Sequence, residues 1–265
     1  MNPQIIVTND DGIESPGIWA IADSLSNLGD VWVTAPEKQA TGAGRCFFRE
    51  STGVIREIQP RIEKKNIRAF AIDASPAQCV FQAVGSILPE KAALVVSGIN
   101  YGENIGNIVT SSGTVGACIE AGSLGILSMA LSQEIDPHED YLKYSEKINF
   151  SAAAWFGAKF AEKIIAEGLP AGADILKVDV PAEGTIETPW RVTRVSRLNE
   201  MRRQYVQKKF SDPAHIIYGP IPDPQRAEPD SDIWAICVDK VVSVTPMTFD
   251  LTAAVNFLDL QKQLK

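Results

Sequence analysis

The chain has 265 residues, enough for one large domain or for one domain with a smaller appendage. Apolar residues make up 45% and charged residues 22%, and 25 basic against 33 acidic residues leave a net charge of −8. That balance is expected of a globular protein and excludes a general affinity for DNA or RNA, although a local site can still reverse the field for a small phosphorylated ligand. The basic pairs Arg202-Arg203 and Lys208-Lys209 are too short to form a nucleic-acid arm. Cys46, Cys79, Cys118 and Cys237 are far apart, with no CxxC pair, and read as buried free thiols in a reducing compartment. Strand-like sequence begins at Gln4, which leaves no room for a signal peptide, and no run of about 18 apolar residues occurs. A cytoplasmic protein with no membrane span is expected.

In chain order, Gln4 to Thr8 reads as a buried strand, Gly17 to Leu28 as a helix and Val31 to Ala35 as a second strand. Ile67 to Ile72 is a third strand. Pro76 to Ile87 is a helix with proline in its first turn and Ser75 as N-cap. Ala93 to Ser97 is a strand, Ser112 to Leu124 a helix, and Ile126 to Leu131 a further strand. Continuous apolar strands separated by helices indicate a parallel sheet covered on both faces, an α/β doubly wound, Rossmann-like fold. Tyr141 to Glu167 reads as a long amphipathic helix with the stripe Ile148, Ala152, Trp155, Phe156, Phe160 and Ile164 facing the core. Ile175 to Val180 is expected to be the last strand of the main sheet.

After Pro181 the prolines cluster between short strand-like pieces. The division is therefore residues 1–185 as an α/β catalytic domain and 186–265 as a smaller, strand-rich C-terminal appendage. Within it, Met201 to Phe210 and His215 to Tyr218 look like a hairpin, and Leu251 to Leu264 like a terminal helix.

Ligands of doubly wound folds bind beyond the carboxyl ends of the strands. The residues there are Asn9-Asp10-Asp11-Gly12, the loop Glu37 to Gly44, Gly98-Ile99-Asn100-Tyr101-Gly102, and Ser112-Gly113-Thr114. Adjacent carboxylates repel and are best tolerated beside a cation, and oxygen donors from Asp, Asn and Thr suit Mg²⁺ or Mn²⁺. Asp10 or Asp11 could equally cap a turn. The start of the helix at Ser112 offers free N–H groups to an anion, and could equally be an ordinary cap formed by Ser111 or Ser112. There is no P-loop, and no cysteine is followed six positions later by arginine. Both histidines, His138 and His215, sit in polar surroundings away from the strand ends and read as surface residues. What remains is hydrolysis assisted by a hard metal, with a non-catalytic nucleotide-binding module or a metal-dependent deacetylase as alternatives.

Ile5 to Gly17 (IIVTNDDGIESPG) closely resembles the opening of the SurE family, the stationary-phase survival phosphatases. Ser97 to Gly106 (SGINYGENIG) resembles the family's second signature and Ser112 to Ala117 (SGTVGA) its third, and Val242 to Met247 is similar to the strand before its C-terminal segment. The resemblance implies a divalent-metal phosphatase acting on nucleoside 5′- and 3′-monophosphates and on short polyphosphate. It implies one cation per subunit, Mg²⁺ or Mn²⁺, held by Asp10, Asp11, Thr41 and Asn100. Asp10, Asp11 and Asn9 would carry the catalysis, and Asn9, Gly42, Asn100, Ser112, Gly113 and Thr114 would contact the phosphate. Thr41 stands where the family usually has serine, and Gln78 where it often has aspartate. The resemblance also implies a homodimer or tetramer built by exchange of C-terminal elements.

Overall fold

The computed structural model describes residues 2–136, 144–145, 147–198, 203–206, 209–212, 215–218 and 221–265, with the backbone alone for 203–206 and 215–218. Its centre is a nine-stranded sheet in the order β3-β4-β2-β1-β5-β6-β7-β11-β8. The strands are β1 (Gln4–Thr8), β2 (Asp30–Pro36), β3 (Ile55–Ile58), β4 (Ile67–Ile72), β5 (Leu94–Tyr101), β6 (Ser128–Gln133), β7 (Ile175–Val180), β8 (Trp190–Val192) and β11 (Val242–Met247). The six central strands, from β4 to β7, pair in parallel. At one edge β3 is antiparallel to β4. At the other, β11 is antiparallel to β7 and parallel to β8.

The apolar runs are buried on both faces because helices cover both. Ile5 and Val7 point to the side of α1 (Pro16–Leu25) and α4 (Ser151–Glu167), where they meet Ile18, Ile21, Leu25, Phe156 and Phe160. Ile6, one residue out of phase, meets Val80 of α2 (Pro76–Gln82) and Ala117 and Ala121 of α3 (Gly113–Ser123) on the other face. α2 starts with the expected proline and a full capping box: Ser75 Oγ accepts from Gln78 N–H, and the Gln78 side chain accepts from Ser75 N–H.

Several expectations need correction. α4 begins at Ser151, not at Tyr141, since the Asn149 side chain accepts from Ser151 N–H at 2.9 Å and fixes the turn there. Residues 141–143 lie outside the described residues. Trp155 is 40% exposed, with the Lys159 ammonium over its ring, so it leaves the core stripe. Ile175–Val180 is not the last strand of the sheet. β8 and β11 come from beyond residue 186 and complete it, so the sheet draws on the segment read as appendage. Antiparallel β9 (Arg203–Val206) and β10 (His215–Tyr218) do form a separate two-stranded hairpin, while Met201 lies outside the described residues. The terminal helix, α5, spans only Phe257–Gln263, capped by the Asn256 side chain. Cys79 and Cys118 are buried, and burial pushes the Cys118 thiol up to about 12, but Cys46 is exposed. Among the described residues, no helix is long and apolar enough to cross a membrane.

One contact sets the distance between α1 and β5. A Cβ on Gly17 would lie 2.3 Å from the Ile99 carbonyl oxygen, so the helix rests directly on backbone. Gly17→Ala should lower the unfolding free energy by about 1–3 kcal/mol, the usual penalty for overpacking. Urea titration followed by circular dichroism measures it, and an unchanged midpoint would mean that α1 can lift away freely.

Candidate metal centre and active site

The chain leaves β1 toward β2 on one side, while the other neighbour of β1 is β5, so the strand order reverses between β1 and β5. Such a switch point opens a crevice at the carboxyl ends of the two strands. Asp10 and Asp11 follow β1 there and Asn100 lies near the end of β5. α3 points its N-terminus at the same place.

Asp10 and Asp11 are almost wholly buried, with 4% and 3% of their surface exposed. Asp10 Oδ1 accepts from the Thr114 hydroxyl at 2.5 Å, and Oδ2 accepts from Gly113 N–H at 3.1 Å. The Thr114 hydroxyl also lies 3.1 Å from Asn100 Oδ1, so one side chain joins α3 to both β1 and β5. Asp11 Oδ2 accepts from Tyr101 N–H at 3.0 Å, and its carboxyl also hydrogen-bonds the Gln39 side chain. The backbone carbonyls are fixed as well: Ala40 N–H donates to that of Asp10 at 2.7 Å, and the Tyr144 hydroxyl donates to that of Asp11.

These contacts require close approach. A Cβ on Gly113 would stand 2.6 Å from Asp10 Cβ, and one on Gly116 would stand 2.1 Å from the Gly44 carbonyl oxygen. Glycine at both positions lets the first turn of α3 lie against Asp10 and against the loop after β2. That loop is tied down by Gly44 N–H to the Ser111 carbonyl and by Arg45 to the buried Glu120 of α3 at 2.8 Å.

The electrostatics follow from burial. Desolvation raises the Asp10 pKa against the pull of its hydrogen bonds. Asp11 is pushed up to about 8, first by burial and then by the charge of Asp10. Two neighbouring carboxyls in this crevice therefore resist being anionic together unless a cation joins them. The two carboxylates and the Asn100 amide oxygen suit a hard divalent ion, to which the Thr41 hydroxyl on the adjoining loop would add a further oxygen. Among the described residues, no cluster of three or more His, Cys, Asp or Glu side chains could hold a metal. Such a site would rest on two carboxylates and neutral oxygens, a composition suited to Mg²⁺ or Mn²⁺.

The remaining expected residues divide. Thr41 and Gly42 lie exposed on the loop whose Ala40 is hydrogen-bonded to Asp10, at the rim of the crevice. Ser112 is the N-cap of α3, its Oγ accepting from Val115 N–H at 3.1 Å. Asn9 is fully buried and both atoms of its amide engage Gly12, donating to its carbonyl and accepting from its N–H, each at 3.0 Å. In this structure Asn9, Gly113 and Thr114 thus shape the turn and hold Asp10. Gln78 has a structural task, since beyond the capping box its amide grips the Phe48 backbone. Sequence reasoning missed Gln39 and Tyr144. Gln39 stood in the right loop with nothing to single it out, and Tyr144 fell in a segment read as helix. A cleft of about 250 Å³ adjoins the crevice, lined in part by Gln39, Ala40, Phe48, Ser51 and Asp73. A larger cavity of about 740 Å³ lies at the ends of β6 and β7 and is lined by none of the expected site residues.

The profile of the family described as "Survival protein SurE" matches residues 5–203. The chain belongs to the SurE family. A "5'-nucleotidase SurE" of Thermococcus gammatolerans is 37% identical over 98% of this chain and 96% of its own length. That of Archaeoglobus fulgidus is 38% identical over 96% of this chain and 94% of its own. Among solved structures, "Crystal Structure of Sure Protein from Aquifex aeolicus" superposes with a TM-score of 0.76 at 30% identity, covering 99% of this chain and all of that one. The SurE likeness therefore extends through the C-terminal strands as well as the signature loops, and the three signatures are the segments that meet at the β1–β5 crevice.

Thr114 offers a clean test of this geometry. Thr114→Val keeps the shape but removes the hydroxyl shared by Asp10 and Asn100. It should weaken Mn²⁺ binding by roughly tenfold or more, whereas Thr114→Ser should bind as the wild type does. Calorimetric titration decides, and equal affinity in all three proteins would show that the hydroxyl does not order the site.

Proposed function

We propose that the chain is a divalent-metal-dependent phosphomonoesterase that releases phosphate from nucleoside 5′- and 3′-monophosphates, and from short polyphosphate as a secondary activity. The observation that carries this reading is the pair of adjacent buried carboxylates, Asp10 and Asp11, with neutral oxygen donors at the same strand ends. The names of the relatives, 5′-nucleotidases of the same length and family, support the substrate class.

One cation per subunit would be held by Asp10, Asp11, Asn100 and Thr41. When bound, it supplies positive charge where the phosphoryl oxygens gain negative charge. The protein's own part is positional. Gly113 N–H and the Thr114 hydroxyl orient Asp10, and Tyr101 N–H and Gln39 orient Asp11. Asn9 holds the turn that aims both carboxylates, and Gly42 lies in open space on the loop at the rim, where the phosphate would enter. The neighbouring cleft, with Phe48 on its wall, is suited to the leaving nucleoside. The buried thiols of Cys79 and Cys118, which form no disulfide, are in keeping with a cytoplasmic, reducing setting.

Asp10→Asn should lower phosphate release from AMP by about two orders of magnitude with Mg²⁺ or Mn²⁺ supplied, the scale of a few kcal/mol of lost charge stabilisation. Near-normal turnover would remove Asp10 from the metal site. A wild-type protein that binds AMP and releases no phosphate under any metal would point instead to a non-catalytic nucleotide-binding module.

A second copy of the chain is the partner this reading proposes. Phe257 is 66% and Leu258 67% exposed on α5, and Leu251 and Leu264 on the flanking chain are 90% and 79% exposed, an apolar set that none of the described residues covers. Exchange of such a segment gives a symmetric dimer or a dimer of dimers. Multi-angle light scattering at micromolar concentration should report two or four chains per particle, and a stable monomer would refute the exchange.

A further inference from the structure

Away from the crevice, three charged side chains with no exposed surface meet beside β7. Lys177 and Asp179 stand on β7, and Asp232 comes from the segment before β11. Lys177 Nζ lies 2.5 Å from Asp179 Oδ2 and 3.1 Å from Asp232 Oδ2. Burial alone would lower the Lys177 pKa, but the two carboxylates hold it above its ordinary value, so the ammonium stays charged. A buried triad of this kind is weak evidence for stability, because desolvation offsets much of the attraction. Its placement needs another reason.

The further hydrogen bonds that the two carboxylates accept supply one. Asp179 Oδ1 accepts from Asn104 N–H at 2.7 Å, and Asp232 Oδ2 accepts from Gly106 N–H at 3.0 Å. The Asn104 side chain donates to Ser132 Oγ on β6 at 2.9 Å, and Ile105 is buried against Ala227, Ile233 and Ile236. Residues 104–106 join Asn100 to the short helix Gly106–Thr110, which leads into Ser112, Gly113 and Thr114. Asp232 Oδ1 also accepts from the N–H groups of Ser196 and Ile233, at 2.9 and 2.8 Å.

We propose that Lys177, Asp179 and Asp232 are positioning residues, a buried clamp that sets the segment between Asn100 and Thr114 and ties the C-terminal part of the chain to the active site. The inference rests on the phosphatase reading of Asn100 and residues 112–114. Lys177 acts by bridging both carboxylates, so that each presents an oxygen to the loop backbone. None of the three is among the residues proposed to hold substrate or metal. The clamp works through the geometry of the loop, where a displacement of an ångström lowers turnover steeply.

Two double variants separate positioning from mere support. Lys177→Gln with Asp179→Asn removes the charges but keeps an acceptor for Asn104 N–H. Lys177→Met with Asp179→Leu fills the space with apolar atoms and removes that acceptor, while Asp232 keeps its hydrogen bonds from the N–H groups of Gly106, Ser196 and Ile233. Thermal melting, calorimetric Mn²⁺ titration and kcat for AMP are measured on each full-length protein. The apolar double should lose about 10- to 100-fold in both Mn²⁺ affinity and kcat while melting cooperatively, and the amide double should stay near the wild type. A folded apolar double with wild-type affinity and kcat overturns the clamp, as does an equal loss in the amide double. If the apolar double does not fold, Asp232→Asn takes its place. It keeps the shape and an acceptor for Ser196 but turns an NH₂ toward Gly106 N–H, so the same losses are expected, and wild-type values overturn the inference. Wild-type protein that neither binds Mn²⁺ nor releases phosphate from AMP would overturn the phosphatase reading and the clamp with it. An active wild type with unaffected variants overturns the clamp alone.

Discussion

Two carboxylates side by side in a buried crevice form the arrangement around which the rest of the molecule is organised. Neither Asp10 nor Asp11 has water to solvate it, and each raises the cost of charging the other. The surroundings answer with donors: two from the start of α3, one from the backbone of Tyr101, and the Gln39 side chain. The donors from α3 demand that the helix come within contact of the end of β1, and glycine at positions 113 and 116 makes this possible. The Arg45–Glu120 pair and the Gly44–Ser111 hydrogen bond then hold the loop after β2 against the same helix. A demand made by two side chains thus fixes a helix, a loop and the end of a neighbouring strand.

The part of the chain after residue 186 has two relationships to this centre. β8 and β11 return to the main sheet, and Asp232 reaches through its buried contacts to the loop that joins the two halves of the site. The β9–β10 hairpin and α5 stand outside that sheet. Scaffold and outward elements alternate along one stretch of chain, so a boundary drawn at a single residue does not describe it.

Some of this was legible in the sequence because it depends on local pattern. Apolar runs such as Ile5 to Val7 and Leu94 to Val96 specify strands buried on both faces, and intervening helices specify a parallel sheet. The turns at Asp10-Asp11 and Asn100 were visible because they follow apolar strands, at the ends where ligands of such folds bind. The Ser75–Pro76 helix start was readable from two adjacent residues, and the capping box follows from Gln78 three positions after the cap.

What lay beyond reach of the sequence was decided by contacts between segments far apart in the chain. β3 has only four residues, and β8 only three, so each is a strand because a partner strand is there to complete its hydrogen bonds. α4 starts ten residues later than its apolar pattern suggests, since the Asn149 amide offers the backbone a better local partner than another helical turn. Lys177 and Asp179 read as ordinary polar residues in a strand, and only Asp232, 53 residues beyond Asp179, shows that they belong to one buried cluster. Tyr144 reaches Asp11 across 133 residues in the same way. By itself, the sequence determined the central strands and the helices between them, and that Asp10-Asp11 and Asn100 fall at strand ends, because those follow from periodicity. The tertiary structure decided which donors hold each carboxylate and how the C-terminal segment reaches the site, because hydrogen bonds between distant residues depend on where the packed core carries them.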